Sequence, residues 1–163
     1  MLRALFPHPY LTALLTAVWV MLINALTPGT VAFGLILGTL VPLATAAYWP
    51  DRPRPRGPLR IAAYVLLVIW DIVVANITVA RIVLFMPLSK MRPAWITVPT
   101  DLRTPEAITV LAGTITMTPG TLSADIAADG RSILVHCLHA PDPASVVAEI
   151  KTRYERRLKE IFE

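Results

Sequence analysis

Two long uncharged apolar runs near the start of the chain constrain its fold more than any other feature. Tyr10–Leu26 and Val31–Trp49 contain no charged residue. Each is close to the length of about 20 residues that a helix needs to cross a hydrocarbon core. Between them, Thr27-Pro28-Gly29-Thr30 is typical of a tight turn, because Pro and Gly favour the backbone conformations that such turns need. We therefore predict a transmembrane hairpin of helices over about 10–26 and 31–49.

The composition agrees with a membrane protein. Hydrophobic residues make up 55% of the 163-residue chain and charged residues only 16%, and the mean hydropathy is +0.61. Soluble domains carry about a quarter charged residues, so the composition argues against a fully water-soluble protein and excludes intrinsic disorder. The length allows one membrane region and one small folded domain. The single cysteine cannot form a disulfide within the chain.

The positive charge is concentrated in the first half of the chain. Residues 1–90 carry seven basic and two acidic side chains, whereas residues 91–163 carry eight basic and nine acidic ones. Basic residues beside apolar runs are typical of segments that face lipid headgroups on the cytoplasmic side, and no nucleic acid is predicted as a partner. The Arg/Pro-rich connector that follows the second run supplies four predicted headgroup contacts: Arg52, Arg54, Arg56 and Arg60.

A third apolar run, Ile61–Met86, is long enough to span but contains polar residues. Three of them are candidate intramembrane or assembly residues: Asp71, Asn76 and Arg81. At 100° per residue, a narrow polar stripe of about 40° contains Arg60, Tyr64, Asp71 and Thr78. Such a helix either spans while packed against protein or lies in the membrane interface. Spanning would place residues 91–163 outside the cell, whereas an interfacial helix would leave them in the cytoplasm.

Asp71 is the polar residue of most interest. An ionised carboxylate in lipid is costly, so we expect it to be paired, protonated or facing a cavity. Arg81 lies about 15 Å further along the helix axis, too far for a pair within the helix. The open alternatives are a role in ion movement, or an interfacial or intersubunit pair that serves only packing and assembly.

The composition changes at Pro93, where a soluble domain is predicted to begin. Ile96–Val98 is typical of a short strand, and Thr104-Pro105-Glu106 of a helix start with a capping hydroxyl. Ala107–Met117 is rich in β-branched residues, so both helix and strand remain open there. The apolar positions of the next strand alternate with Ser123 and Asp125, which predicts a half-buried strand with Leu122, Ala124 and Ile126 inward.

The remaining segments complete a small α+β domain. Asp129-Gly130 predicts a hairpin turn into a more buried strand over Ser132–Leu138. Asp142-Pro143 begins a final helix whose apolar face recurs every three or four residues. That face consists of Val146, Val147, Ile150, Tyr154, Leu158 and Ile161, and the charged side chains cover its other faces. We therefore predict an α-helical membrane region of two or three hydrophobic helices (1–90) and a β-α-β-β-α soluble domain (91–163).

Two short motifs have the composition of binding sites but favour structural roles. Thr118-Pro119-Gly120-Thr121 lacks the glycine spacing and lysine of a phosphate-binding loop and fits a structural type II turn with Gly at positive φ. In His136-Cys137-Leu138-His139, a strand would point His136 away from the other two possible ligands, so no metal site is predicted. No nucleophile, acid pair or cofactor loop stands out, and neither enzymatic activity nor a cofactor is predicted.

One run of residues is similar to a known family. Ile115-Thr116-Met117-Thr118-Pro119-Gly120-Thr121-Leu122-Ser123 is followed by Asp125, by Asp129-Gly130 and by Leu134-Val135-His136. With the hydrophobic hairpin, the Arg/Pro loop and the long third helix, this resembles the E-type subunit of the Mrp-type (Mnh, Pha) multisubunit monovalent cation/proton antiporters. The resemblance covers essentially the whole chain, although T-x-TPGTLS-x-D followed by L-V-H is its specific part.

The resemblance implies an accessory, assembly-stabilising subunit of a sodium or other monovalent cation/proton antiporter in the bacterial inner membrane. The implied partners are the other subunits and the lipid bilayer, and the large subunits would carry the main proton pathways. The soluble domain is then expected in the cytoplasm. The alternative from composition is a membrane-tethered adaptor or regulatory domain without a transport role.

Overall fold

The computed structural model of the chain describes residues 9–45 and 55–163. They belong to two compact units, which divide between Arg52 and Pro53. Among the described helices, one, Pro58–Phe85, is long and apolar enough to cross a membrane, whereas Leu11–Ile23 and Pro28–Ala44 are apolar but shorter.

The first unit is a pair of apolar helices, α1 (Pro9–Ile23) and α2 (Pro28–Ala44). Gly38 of α2 faces α1 so closely that a Cβ at this position would lie 2.7 Å from the Thr12 carbonyl oxygen. Gly34 is likewise buried against α1, and the rings of Trp19 and Phe33 lie 5.2 Å apart. Small residues thus let the two backbones approach, which is how helices associate where no hydrophobic driving force acts between them.

The turn predicted at residues 27–30 is wrong in its position. Pro28 and Gly29 are the first residues of α2, and Thr27 caps that helix by accepting a hydrogen bond from the Thr30 N–H at 3.1 Å. A capping hydroxyl followed by proline favours a helix start over a turn, because proline lacks an N–H that the first turn would leave unpaired. The chain reverses at residues 24–27, where Asn24 takes a φ of +53°. The predicted helix end at Trp49 lies outside the described residues.

The second unit begins with the long helix α3 (Pro58–Phe85) and a 3₁₀ turn (Leu88–Lys90). It continues with β1 (Ala94–Pro99), α4 (Pro105–Met117), β2 (Thr121–Ile126) and β3 (Ser132–Cys137). The chain then forms α5 (Pro143–Glu149), a π-helical turn (Ile150–Glu155) and α6 (Arg156–Phe162). We call these last three segments together the C-terminal helix, and everything from β1 onward the head. The β-α-β-β-α order is as predicted, and the open choice for residues 107–117 resolves as helix.

The sheet of the head is antiparallel throughout, in the order β1-β3-β2. Ile96 of β1 pairs with Val135 of β3, and Leu122 of β2 pairs with His136. The central strand β3 therefore buries alternate residues against the helices. The core contains side chains from β1, α4, β3 and the C-terminal helix, with Val98, Leu111, Ile133, Val135 and Leu158 almost fully buried.

Two predictions within the head are corrected by the structure. Leu122, Ala124 and Ile126 point outward, because the Ser123 hydroxyl donates to the Ala112 carbonyl of α4 at 2.9 Å and so turns the other face inward. A bulge between Ser123 and Asp125 shifts the register. The Thr104 side chain makes no cap hydrogen bond, and among the described residues its Oγ1 is a buried oxygen without a partner.

The third helix packs as part of the second unit. Tyr64 and Val68 of α3 belong to the same buried cluster as the sheet residues, whereas the sequence placed α3 with the two preceding helices in one region over 1–90. Four residues of the predicted apolar face of the C-terminal helix are confirmed as buried: Ile150, Tyr154, Leu158 and Ile161. The head thus gains part of its core from α3.

Candidate functional site

Two residues of the polar stripe of α3, Tyr64 and Asp71, face the head, whereas Thr78 is exposed and its hydroxyl donates to a carbonyl of its own helix. Tyr64 and Asp71 are buried, with 6% and 8% of their surfaces exposed, and Val68 lies between them on the same face. Tyr64 and Thr114 of α4 share a hydrogen bond between their hydroxyls at 2.7 Å. The spacing of seven residues from Tyr64 to Asp71 is about two helical turns, so both side chains lie on the face of α3 that packs against the head.

Asp71 forms an ion pair within the chain. Its Oδ2 accepts a hydrogen bond from Arg153 Nε at 2.7 Å, and its Oδ1 accepts one from Arg153 Nη2 at 2.5 Å. The Tyr154 hydroxyl donates a third hydrogen bond to Oδ2 at 3.0 Å. The bidentate guanidinium pair is the strongest arrangement open to a buried carboxylate, because charge and geometry both match. We call Asp71, Arg153 and Tyr154 the clamp.

The π-helical turn (Ile150–Glu155) holds both residues that bind Asp71. A π-helical turn is rare and widens the helix locally, often at functional sites. Sequence reasoning placed Arg153 on a solvated face and missed it, although a basic residue beside a core tyrosine was a usable signal for the partner of a buried acid.

The protonation of the clamp follows from its geometry. Burial and the hydrogen bond to the Asp71 carboxylate raise the pKa of Tyr154 to about 12. The hydrogen bonds to Asp71 raise the pKa of the Arg153 guanidinium above its ordinary value. Both groups therefore keep their protons across the physiological range and act as donors to the carboxylate. The arrangement serves to fix two helices to each other.

A second buried carboxylate lies further along the same turn. Glu155 is 3% exposed, and its Oε1 accepts hydrogen bonds from the Thr100 hydroxyl at 2.9 Å and from the Asp101 N–H at 2.5 Å. Lys151 lies 3.0 Å from Glu155 Oε2 and 3.1 Å from Asp101 Oδ2. The sequence suggested a solvated charge at Glu155, which is wrong. The loop after β1 presents donors that only the fold brings to this position.

The N-terminal end of α3 binds the end of the C-terminal helix. Arg60 Nη1 donates to the Glu160 carbonyl at 3.1 Å, and Arg56 Nη1 donates to the Glu163 carbonyl at 2.7 Å. The last carbonyls of a helix lack partners within it and carry partial negative charge, so arginine is a suitable cap. The predicted headgroup contacts of Arg56 and Arg60 stay predictions, and Arg52 and Arg54 lie outside the described residues.

The turn at Thr118–Thr121 contacts α3. The Thr121 N–H donates to the Thr118 carbonyl at 3.2 Å, and Gly120 takes a φ of +93°. A Cβ on Gly120 would lie 3.0 Å from Cγ2 of Val79. Gly120 therefore satisfies two requirements at once, the positive φ and the close approach to the helix.

The other predicted residues do not join the clamp. Asn76 donates to the Ile72 carbonyl of its own helix at 2.8 Å and is exposed, and Arg81 is exposed. The ring of His136 lies 4.9 Å from that of Trp95, Cys137 is buried, and His139 Nδ1 accepts from the Arg92 N–H at 3.2 Å. Over residues 9–45 and 55–163, no group of three His, Cys, Asp or Glu side chains is placed to hold a metal ion.

Comparisons with known proteins agree on one family. Residues 12–161 match the family model described as Na+/H+ ion antiporter subunit (MNHE). The chain is 33% identical to the E subunit of a probable K(+)/H(+) antiporter of Rhizobium meliloti over 99% of this chain and 100% of that protein. It is 28% identical to the E subunit of the Na(+)/H(+) antiporter of Alkalihalophilus pseudofirmus over 93% of this chain and 95% of that protein.

A solved structure is also similar. It is a chain of the membrane-bound sulfane sulfur reductase (MBS), an archaeal respiratory membrane complex, with a TM-score of 0.73 and 27% identity. The match covers 94% of this chain and 97% of that chain. The same fold therefore recurs in a respiratory membrane complex. The chain belongs to the E-subunit family of the multisubunit Na+/H+ (monovalent cation) antiporters, and its partners are the other subunits of such a membrane complex.

Proposed function

We propose that this chain is an accessory subunit that stabilises the assembly of a multisubunit monovalent cation/proton antiporter. The observation that carries this proposal is the Asp71 carboxylate, whose two oxygens accept three hydrogen bonds from Arg153 and Tyr154. A carboxylate that relays protons or binds a cation has to exchange its partners. A bidentate guanidinium pair instead holds the carboxylate ionised in one geometry.

The clamp supports the accessory role because it holds α3 and the head together. It joins α3, an apolar helix, to the C-terminal helix of the head, and Arg56 and Arg60 add two further hydrogen bonds at the helix ends. The head and α3 then present one rigid body to the neighbouring subunits. In this role the chain contributes binding surface and order, while exchange of the cation, sodium in the family description, takes place in other subunits.

The location that we propose is the bacterial inner membrane, with several membrane segments and the head in the cytoplasm. Two features support it. The apolar pair α1 and α2 returns the chain to the side on which it started if both helices cross. The connector that follows is rich in arginine, which favours the cytoplasmic side.

The alternative function, a membrane-tethered adaptor without a transport role, needs residues 93–163 to fold by themselves. The core of the head includes Tyr64 and Val68 of α3, and the buried carboxylate of Asp71 pairs with Arg153. A fragment without α3 would expose that core and leave the guanidinium without its partner. The single compact unit thus favours the assembly role. No catalytic activity is proposed for the chain.

The test is purification of the tagged chain from bacterial membranes together with exchange measured in inverted vesicles. We expect mass spectrometry to identify the other antiporter subunits, and we expect deletion of the chain to abolish Na+-induced or K+-induced proton release. The matched control is the same deletion strain carrying the wild-type chain, which should restore exchange. Recovery of the chain alone, with exchange intact after deletion, would refute the proposal.

A further inference from the structure

The head contacts α3 along most of its length. Arg60 binds the Glu160 carbonyl near the start of the helix, Asp71 binds Arg153 at its middle, and Val79 lies against Gly120 further on. From Arg60 to Val79 the helix rises about 28 Å, nearly the thickness of a hydrocarbon core. Because the head packs against the helix over this distance, the head would lie at the same depth in a membrane as the helix.

The head carries charged side chains on a surface that could not be buried in the hydrocarbon core of a membrane. Beside α3 it carries the Arg153 guanidinium, whose side chain is 36% exposed, and Arg157, which donates to the Arg153 carbonyl. The Lys151–Asp101 pair is also exposed. In the order β1-β3-β2 the outer strands β1 and β2 each pair with one strand only, and backbone groups without a hydrogen-bond partner are not tolerated in lipid. A spanning α3 would draw these charges and outer strands into the bilayer core.

The opposite face of α3 is strongly apolar. At 100° per residue, six exposed large apolar side chains form a stripe centred about 130° around the helix from Asp71, and Val65, Ile69 and Val83 extend the exposed apolar surface beyond it. They are all exposed, with Leu66 at 67% and Trp70 at 64%. The stripe consists of Leu59, Leu66, Trp70, Val73, Ile77 and Leu84. We call it the outer face.

We propose that α3 lies along the surface of an anionic phospholipid bilayer, with the outer face in the boundary between headgroups and acyl chains. The charges agree with this partner. Over residues 55–92 Asp71 is the single acid, and Arg153 neutralises it. Five basic residues lie within or beside this segment in sequence: Arg81, Lys90 and Arg92, together with Arg56 and Arg60, which also bind carbonyls at the end of the C-terminal helix. An apolar stripe flanked by arginine and lysine is typical of interfacial helices.

This assignment decides between the two orientations that the sequence leaves open for the third helix. It depends only on contacts inside Pro53–Glu163, so it stands or falls separately from the proposed role in antiport. Its consequence for topology is direct. A helix that does not cross leaves the head on the side of the membrane where the connector ends.

The test measures depth along the outer face of the full chain in vesicles of phosphatidylethanolamine and phosphatidylglycerol. Single substitutions Leu59→Cys, Leu66→Cys, Val73→Cys and Leu84→Cys receive a nitroxide label. Collision with oxygen and with a water-soluble nickel chelate then gives the depth of each label. The parent chain, whose one cysteine is buried, provides the background.

The expected result is a single shallow depth for all four labels, within about 5–10 Å below the headgroups. A spanning helix gives a different profile, because Leu59 and Leu84 are about 37 Å apart along the axis. Its end labels would lie at opposite surfaces with Val73 deepest, and this outcome overturns the proposal. Labels shielded from both reagents also overturn it, since another protein would then cover the face.

A second measurement avoids the cysteine variants. Trp70 lies on the outer face, so the part of the fluorescence lost in Trp70→Phe reports its own surroundings. We expect lipids brominated near the headgroup to quench this part more than lipids brominated near the chain end. Stronger quenching by the deep bromines, or none by either lipid, would contradict a surface orientation.

Discussion

Removing the Asp71 carboxylate should loosen the attachment of the head to α3 by about 3 kcal/mol. Breaking a buried ion pair by deleting one partner costs about 3–5 kcal/mol. The lower end applies to Asp71→Ala, because Arg153 is 36% exposed and the released guanidinium regains water, as surface pairs do. Tyr154 loses its acceptor at the same time. By contrast, Arg153→Ala leaves the buried carboxylate with Tyr154 alone and should cost at least as much.

The assay uses Cys137, which is the single cysteine and is 2% exposed in β3. A thiol reagent reaches it only when the head opens, so the labelling rate reports the open fraction. Since about 1.4 kcal/mol is a factor of ten, 3 kcal/mol predicts labelling about 150 times faster in Asp71→Ala. The matched control is Asn76→Ala, an exposed position on the same helix, which should change the rate little.

The pair should also be coupled in a double-mutant cycle. If Asp71 and Arg153 act through each other, the double alanine variant should be less destabilised than the sum of the single variants, by about 1–3 kcal/mol. Additive effects, or an Asp71→Ala chain that is labelled no faster than Asn76→Ala, would refute the clamp.

The remaining predictions concern two glycines, each with a control glycine, and one tyrosine. Gly120→Ala should destabilise the head by about 1–2 kcal/mol because of its positive φ. Gly113→Ala lies in a helix with open space around it and should stabilise the head by up to about 1 kcal/mol. Equal rates of Cys137 labelling in the two variants would contradict this. Gly38→Ala should weaken the α1–α2 pair, since its Cβ meets a backbone oxygen, while Gly29→Ala should not. Disulfide cross-linking between one cysteine introduced into each helix tests this, and cross-linking that stays intact in both variants would contradict it. The pKa of Tyr154 rises from 10.0 to about 12 on folding, so its stabilisation is complete below about pH 10 and is lost as the pH rises to about 12. Stability of the wild type relative to Tyr154→Phe should fall over that window, and a constant difference would contradict the shift.

Local patterns predicted much of the head correctly. The order of strands and helices follows from alternation, turn residues and helix starts, which are short-range signals. The apolar positions of the C-terminal helix were found because a helix face repeats every three or four residues. Ile150, Tyr154 and Leu158 accordingly lie in the core.

The errors come from contacts that sequence patterns do not carry. The outward face of β2 depends on the Ser123 hydroxyl meeting the Ala112 carbonyl, a contact that only the position of α4 creates. The partner of Asp71 lies 82 residues away, on a π-helical turn that no propensity indicates. Glu155 is buried for the same reason, since its donors come from the loop after β1. Local periodicity assigns such charges to solvent.

The most direct test of the account is the exchange rate per assembled antiporter complex in the Asp71→Asn variant. The amide keeps the size of the side chain and loses the charge that Arg153 binds. We expect fewer complexes, measured by co-purification. The exchange rate per complex should stay within about twofold of the wild type, which is well below the tenfold change in rate that a change of about 1.4 kcal/mol in the activation free energy produces. A normal amount of complex that no longer exchanges cations for protons would contradict the account and place Asp71 on the ion path.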